Sequence, residues 1–481
     1  MGFKTRCHAL FFLYISLGKS SHILYTKPTL RNGVMTMKII VIGTSHAGIA
    51  FALRAREEYP DAQITMYERE EGISFISQSI PLYLMGKSDI LKHGNYTSVD
   101  DLKKLNIDVK VNCVVEKIDF KKKEISYVLF NTTDLLTDSY DKLVMATGSY
   151  PSLPLFSGDS DHVHVIKNVS DAKNLRDIIK KENQVIVLGA GLIGVEIARI
   201  LALRNVKVKL IHPHEHILNK YVDKELADSF QKDLEDIGVE VYLNTVATDL
   251  AVNDKNKKIT VYTDNHQQYL ADDVIVSIGF RPNSLLVRND AQLGDMGAIV
   301  VDEYMHTSIK DVLAVGDCAT SVVNGVSHPI YMPHASEAIR QGQIAALNLS
   351  KKVRAIPPSQ NTYNMNLEGL TICTTGLTLK NALANGIDAK QIFYRNDALD
   401  EDHYLEMWFV YENKTHRIIG AQIKSSVTSA NEYVNILSLA ISQKLTIEDL
   451  EFSDFFFEHG YKNPETFTSI LAKLIRESER K

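Results

Sequence analysis

The sequence predicts an α/β protein with two parallel-sheet domains followed by a smaller α+β domain. Three observations carry this. Lys38 to Glu70 and Gln184 to Glu215 each read as an apolar strand, a glycine turn, a helix and a second apolar strand. After Pro357 and Pro358 the pattern changes to alternating, antiparallel-type strands and one amphipathic helix. The chain has 481 residues, 45% hydrophobic and 23% charged, enough for about three cores.

In chain order, MGFKTRCHALFFLYISLGKSSH opens with basic residues and a short apolar run that mimics a secretory signal. The run from Ala9 to Gly18 is too short to span a bilayer. No A-x-A-like cleavage site precedes Met37, where MKIIVIG begins a natural first strand, so residues 1–36 are read as an extension outside the fold. Short apolar runs such as VIVSIGF and DVLAVGD read as parallel strands that return to the first sheet. Residues 37–155 and 265–350 are then one discontinuous domain, residues 156–264 the second and residues 360–481 the third.

A net charge of -6 without a Lys/Arg stripe argues against nucleic acid. Cys7, Cys113, Cys318 and Cys373 are scattered, with no CxxC and no His/Cys cluster at metal-ligand spacing. That fits a reducing cytosol, and it removes both a local dithiol and a metal site from consideration.

Gly43, Ser45 and Gly48 form G-x-S-x-x-G, with the smallest substitute where a backbone must approach a pyrophosphate. Glu68 ends the following strand, where a carboxylate can accept both hydroxyls of an adenosine ribose. Thr147 and Gly148 in ATGS, then Gly316 and Asp317 in DVLAVGD, complete the series; Asp317 is placed for a ribityl or phosphate-linked hydroxyl. Singly, each has the plain reading of a turn glycine or a solvated carboxylate. Four signals in order predict a dinucleotide site.

The second turn is complete: Gly189, Gly191 and Gly194 follow QVIVL and open a helix, which predicts a second dinucleotide site. His212 stands where a unit that prefers NAD would carry its ribose carboxylate. A neutral imidazole replaces at most one of the lost bonds, whereas a protonated His212 with His214 and His216 would favour a 2′-phosphate. HPHEH also reads as a solvated loop.

KIIVIGTSHAG, YEREEGISFISQSIPLYLMGK, ILNKYVDKE and TTGLT together resemble the pyridine nucleotide-disulfide oxidoreductases, in the branch of NADH oxidase, NADH peroxidase and coenzyme A-disulfide reductase. The resemblance runs from Met37 to the C-terminus. It implies two Rossmann-like domains, one for FAD and one for NADH or NADPH, a C-terminal domain that forms a homodimer, and a cytoplasmic location. Glu196 resembles the family glutamate that contacts the nicotinamide carboxamide, and its other reading is a helix-surface charge. Gly279, in IGFRPNS, matches a turn on the nicotinamide side. His334, in MPHASEAIRQG, matches a helix start near the flavin pyrimidine, where helix amides stabilise a reduced, anionic ring.

The chain departs from that pattern at its centre. SFISQS stands where the branch carries SFxSCG, so Gln78 replaces the redox cysteine, and an amide has neither thiolate nucleophilicity nor a sulfenic state. Leu192 replaces a tyrosine that covers the flavin. His46 matches the family histidine beside the cysteine; it reads equally as a proton donor or as a polar residue in a first helical turn. The expected activity is transfer of a hydride from NADH or NADPH to FAD and of electrons to dioxygen, with hydrogen peroxide as product. A quinone, a dye-like molecule or a small redox protein as acceptor, a peroxidase or disulfide reductase homologue, and a flavin-binding sensor without turnover are the alternatives.

Overall fold

Near-continuous apolar strands make the first sheet. KIIVI is buried at every residue but the first, as a strand covered on both faces must be. Its five parallel strands run in the order Val312–Ala314, Lys142–Met145, Lys38–Ile42, Gln63–Tyr67, Ile107–Lys110. The computed structural model describes residues 36–90, 94–154, 156–157, 161–179, 184–253, 258–396, 403–455 and 465–480. The expected N-terminal extension lies outside them, except for Thr36. Helices His46–Glu58 and Ala335–Asn348 cross closely on this sheet: a Cβ at Gly342 would meet the Ala47 carbonyl oxygen at 2.4 Å.

The second sheet repeats the design with parallel strands Val163–His164, Asp273–Val276, Gln184–Leu188, Lys207–Ile211 and Val239–Tyr242. This moves the expected boundary at residue 265. Asp273–Val276 pairs with Gln184–Leu188, and Gln268–Ala271 joins a side sheet with Ala247–Val252 and Ile259–Thr263. VIVS therefore belongs to the second domain, because a short buried run shows its apolar character but not which sheet it enters. The chain leaves the first domain through Ser149–Pro151 and returns through Phe280–Pro282, two strands that pair antiparallel.

The third domain is an antiparallel five-stranded sheet with Tyr363–Asn366 at one edge. Alternation along Leu405–Glu412 divides its two faces. Met407, Phe409 and Tyr411 join a core with Leu437 of helix Ala430–Ser442 and Leu471 of helix Phe467–Glu479. Trp408 instead joins Met365, Leu367 and Ile372 in the core of the second domain. Buried Asp223 fastens the join: it accepts the N–H of Leu379 at 2.7 Å, that of Lys380 at 3.1 Å, and the amides of Gln391 and Gln422.

Candidate active site

Both glycine turns open onto one cleft of about 1110 Å³. In the first turn Gly43 has φ +110°, and a Cβ there would lie 2.1 Å from the Ala146 carbonyl oxygen. In the second, Gly189 has φ +98° and a Cβ would lie 2.6 Å from the Ser277 carbonyl oxygen. Gly48 and Gly194 do not line the cleft but let helix meet strand, since a Cβ would strike the carbonyl oxygens of Gly43 at 2.1 Å and Gly189 at 1.8 Å. Ser45 and Gly191 precede the helices His46–Glu58 and Leu192–Ala202 and face the cleft, where free helix amides and the helix dipole favour an anion.

Glu68 lines the cleft at the end of its strand. Its Oε2 accepts the N–H of Thr44 at 3.0 Å and the Thr44 hydroxyl at 2.7 Å. Thr147 donates its hydroxyl to the Asn283 carbonyl, and Gly148 takes φ +67° beside it. Gly316 brings its backbone against Ala47, and Asp317 follows it into the cleft. The Asp317 carboxyl is raised by burial, while Lys167, the Ser149 hydroxyl bonded to it at 2.9 Å, and His46 pull the other way.

Lys167 has no motif around it, and the sequence reading missed it. Its ammonium donates to the carbonyl and hydroxyl of Ser149 and lies 5.0 Å from the Phe280 ring centre, and burial lowers its pKa. His46 stacks on Tyr96 with ring centres 5.8 Å apart; its Nδ1 is buried with no partner among the described residues. Burial also holds its pKa below the usual value, against the pull of Asp317. Gln78 lies on the cleft wall at the start of helix Ser79–Leu84, with its side chain exposed.

On the other side, Leu192, Glu196 and Gly279 line the cleft together. Burial raises the carboxyl of Glu196 to about 8. His334 caps helix Ala335–Asn348; its Nε2 is hydrogen-bonded to the Tyr363 hydroxyl, and burial lowers its pKa to about 3. Tyr363 stacks edge-on against Tyr221, so the third domain supplies part of the wall, which no sequence motif signalled. Of the alternatives open for HPHEH, a protonated His212 is the one that burial opposes. His212 is buried and its pKa lies at about 4, and the buried His216 binds the Ile217 carbonyl through Nδ1.

The model of the pyridine nucleotide-disulphide oxidoreductases matches residues 37–342. The chain belongs to that family. A family relative, an NADH oxidase of Enterococcus faecalis, is 35% identical over 447 residues, covering 92% of this chain and all of that protein. A solved water-forming NADH oxidase from Lactobacillus brevis bound to NADH is 33% identical with a TM-score of 0.86, over 92% of this chain and 98% of its own. A five-substitution variant of that protein, a water-forming NADPH oxidase bound to NADPH, gives the same values.

Like its family, this chain is an FAD-dependent NAD(P)H oxidoreductase. The first turn fits FAD: a glycine whose positive φ and tight backbone contact admit no side chain, a carboxylate at the strand end, and His46, with a buried and unpartnered Nδ1, among the residues lining the same cleft. Gly43, Ser45, Glu68, Thr147, Gly148, Lys167, Gly316 and Asp317 line this part of the cleft and are the residues that would hold it. Among the described residues no helix is long and apolar enough to cross a membrane, and no group of three or more His, Cys, Asp or Glu side chains is arranged to hold a metal ion.

Proposed function

We propose that this chain is an FAD-dependent NAD(P)H oxidase that releases hydrogen peroxide. The balanced reaction is NAD(P)H + O2 + H⁺ → NAD(P)⁺ + H2O2. The observation that carries it is Gln78 on the cleft wall, in the segment that resembles the family's cysteine motif. Peroxide reduction by a thiolate needs a cysteine there, and an amide cannot replace it. The described cysteines do not compensate. Cys113 lines the cleft, but beside Glu68, and burial raises its thiol to about 11. Burial also raises those of Cys318 and Cys373, which do not line the cleft.

Bound FAD supplies the two-electron chemistry between nicotinamide and acceptor. The chain's own residues orient and desolvate the partners. Glu196, protonated in part at neutral pH, can donate to the carbonyl of the nicotinamide carboxamide. His46 is proposed to pass the one proton that the reaction takes from solvent, and its buried Nδ1, unpartnered among the described residues, supports that reading. Leu192 lines the cleft at the position where the family resemblance implies a tyrosine that covers the flavin.

The protein is proposed to act in the cytoplasm as a homodimer joined through the third domain. The scattered cysteines support the first proposal, and Leu439 and Phe452, 64% and 87% exposed on that domain, support the second. Light scattering that gives a monomer mass would refute the dimer.

Anaerobic mixing with NADH or NADPH tests the enzyme: the flavin absorbance is expected to bleach. Admitting oxygen should then yield about one peroxide per nicotinamide oxidised, as the stoichiometry demands. A yield near zero would make water the product, as in the Lactobacillus brevis relative.

A further inference from the structure

The two glycine turns are built on one plan, bond for bond. Gly43 donates its N–H to the Tyr67 carbonyl at 2.9 Å, and Gly189 to the Ile211 carbonyl at 2.8 Å. Glu68 donates to the Lys110 carbonyl at 2.9 Å, and His212 to the Tyr242 carbonyl at 2.8 Å. The amide after each first glycine then meets the side chain at that equivalent place: Thr44 N–H to Glu68 Oε2 at 3.0 Å, and Ala190 N–H to His212 Nδ1 at 3.1 Å. His212 is thus the counterpart of Glu68 and makes the same backbone contact.

Their remaining atoms differ in kind. A carboxylate that accepts one N–H still has only acceptor sites to offer, and Glu68 uses Oε1 to accept the N–H of Glu70 at 3.0 Å. An imidazole whose Nδ1 accepts carries its proton on Nε2 when neutral, and that N–H points at Asn219 Oδ1, 3.1 Å away. The second turn therefore holds a donor, shared with Asn219 Oδ1, where the first presents an acceptor. A ribose hydroxyl can use either, but a 2′-phosphate can only accept, and a carboxylate repels it.

The surroundings agree. The residues of this loop that line the cleft are His212, Pro213, His214, Asn219 and Lys220, none of them acidic. Glu215, the acid between them, is exposed, outside the lining and paired with Lys380 at 3.1 Å. Lys220 is exposed and adds a positive charge. The His214 ring lies edge-on to His212 at 5.2 Å.

We propose that the second nucleotide site takes NADPH as readily as NADH, reading the 2′-phosphate through the Nε2–H of His212 with the Asn219 amide and Lys220. This rests on the NAD(P)H oxidase reading and names the nucleotide class that the site admits. Stopped-flow flavin reduction of the holoenzyme is the test. The kcat/KM values for NADPH and NADH are expected to agree within about tenfold. His212→Asp should lower the NADPH:NADH ratio at least about tenfold, while His212→Gln, which keeps both an acceptor and a donor, should preserve it.

A wild-type ratio below one-tenth, or an unchanged ratio in His212→Asp, overturns the proposal. If neither nucleotide bleaches the flavin, the oxidase reading fails, and calorimetry then decides the site alone. Adenosine 2′,5′-bisphosphate is expected to bind the holoenzyme at least as tightly as adenosine 5′-phosphate; weaker binding overturns the proposal. Flavin content of each variant reports its folding.

Discussion

Glu196 and Gln78 are single side chains whose chemistry has measurable consequences. The Glu196 carboxyl ionises near 4.5 in an unfolded chain but at about 8 in the native cleft, because burial penalises its charge. Between those values the native state holds a proton that unfolding releases, so this group's contribution to stability falls as pH rises through the window. Glu196→Gln removes the titration. In urea melts without nucleotide, the variant's midpoint is expected to gain on the wild type steadily from pH 5 to pH 8. A gap that stays constant would mean the carboxyl ionises normally. Gln78→Cys should create peroxide reduction and lower the peroxide yield per NADH; an inert variant would place residue 78 away from the flavin.

At the scale of elements, the first turn depends on one backbone conformation. Gly43→Ala would push a Cβ into the Ala146 carbonyl at 2.1 Å and strain φ +110°, so the strand, turn and helix cannot all keep their places. The purified variant is expected to lose most of its flavin, read as the ratio of flavin to protein absorbance; full retention would show that the turn does not carry the cofactor. The strand–turn–helix units were legible because their signals are local: apolar runs, glycine spacing, and Glu68 and His212 at matching strand ends. The strand Asp273–Val276 was assigned to the wrong sheet because pairing partners are not encoded in a four-residue apolar run. Lys167 and Tyr363 had no local signal at all. They reach the cleft only because the second and third domains fold back against it. The electrostatic state of His212 was also hidden, since burial, which the sequence does not show, is the largest cause of its lowered pKa, and His214 and His216 lower it further.

For the whole molecule, Asp223 concentrates the attachment of the third domain to the second. Its carboxylate accepts two backbone N–H groups and two side-chain amides from the third domain. Asp223→Ala removes the acceptor of all four donors, of which the Gln422 amide is buried, at a cost of roughly 3 kcal/mol. Trp408, the one tryptophan in the chain, sits in the core that the two domains share and reports its opening by fluorescence. The Trp408 transition is expected to move to lower urea concentration; a shift of less than about 1 kcal/mol would show that apolar packing, not Asp223, holds the domains together.

The antiparallel pair Ser149–Pro151 and Phe280–Pro282 also sets a timetable for synthesis. The edge strand Val312–Ala314 and the helix Ala335–Asn348, which complete the first domain, emerge from the ribosome after the whole second domain. In nascent chains released at about residue 300, the second sheet is expected to resist protease while Lys38–Asp119 is cut. Equal resistance would mean that the first sheet closes without its last strand. The domain that begins translation would then be the later of the two to finish, and flavin could be captured only after the nicotinamide site had already formed.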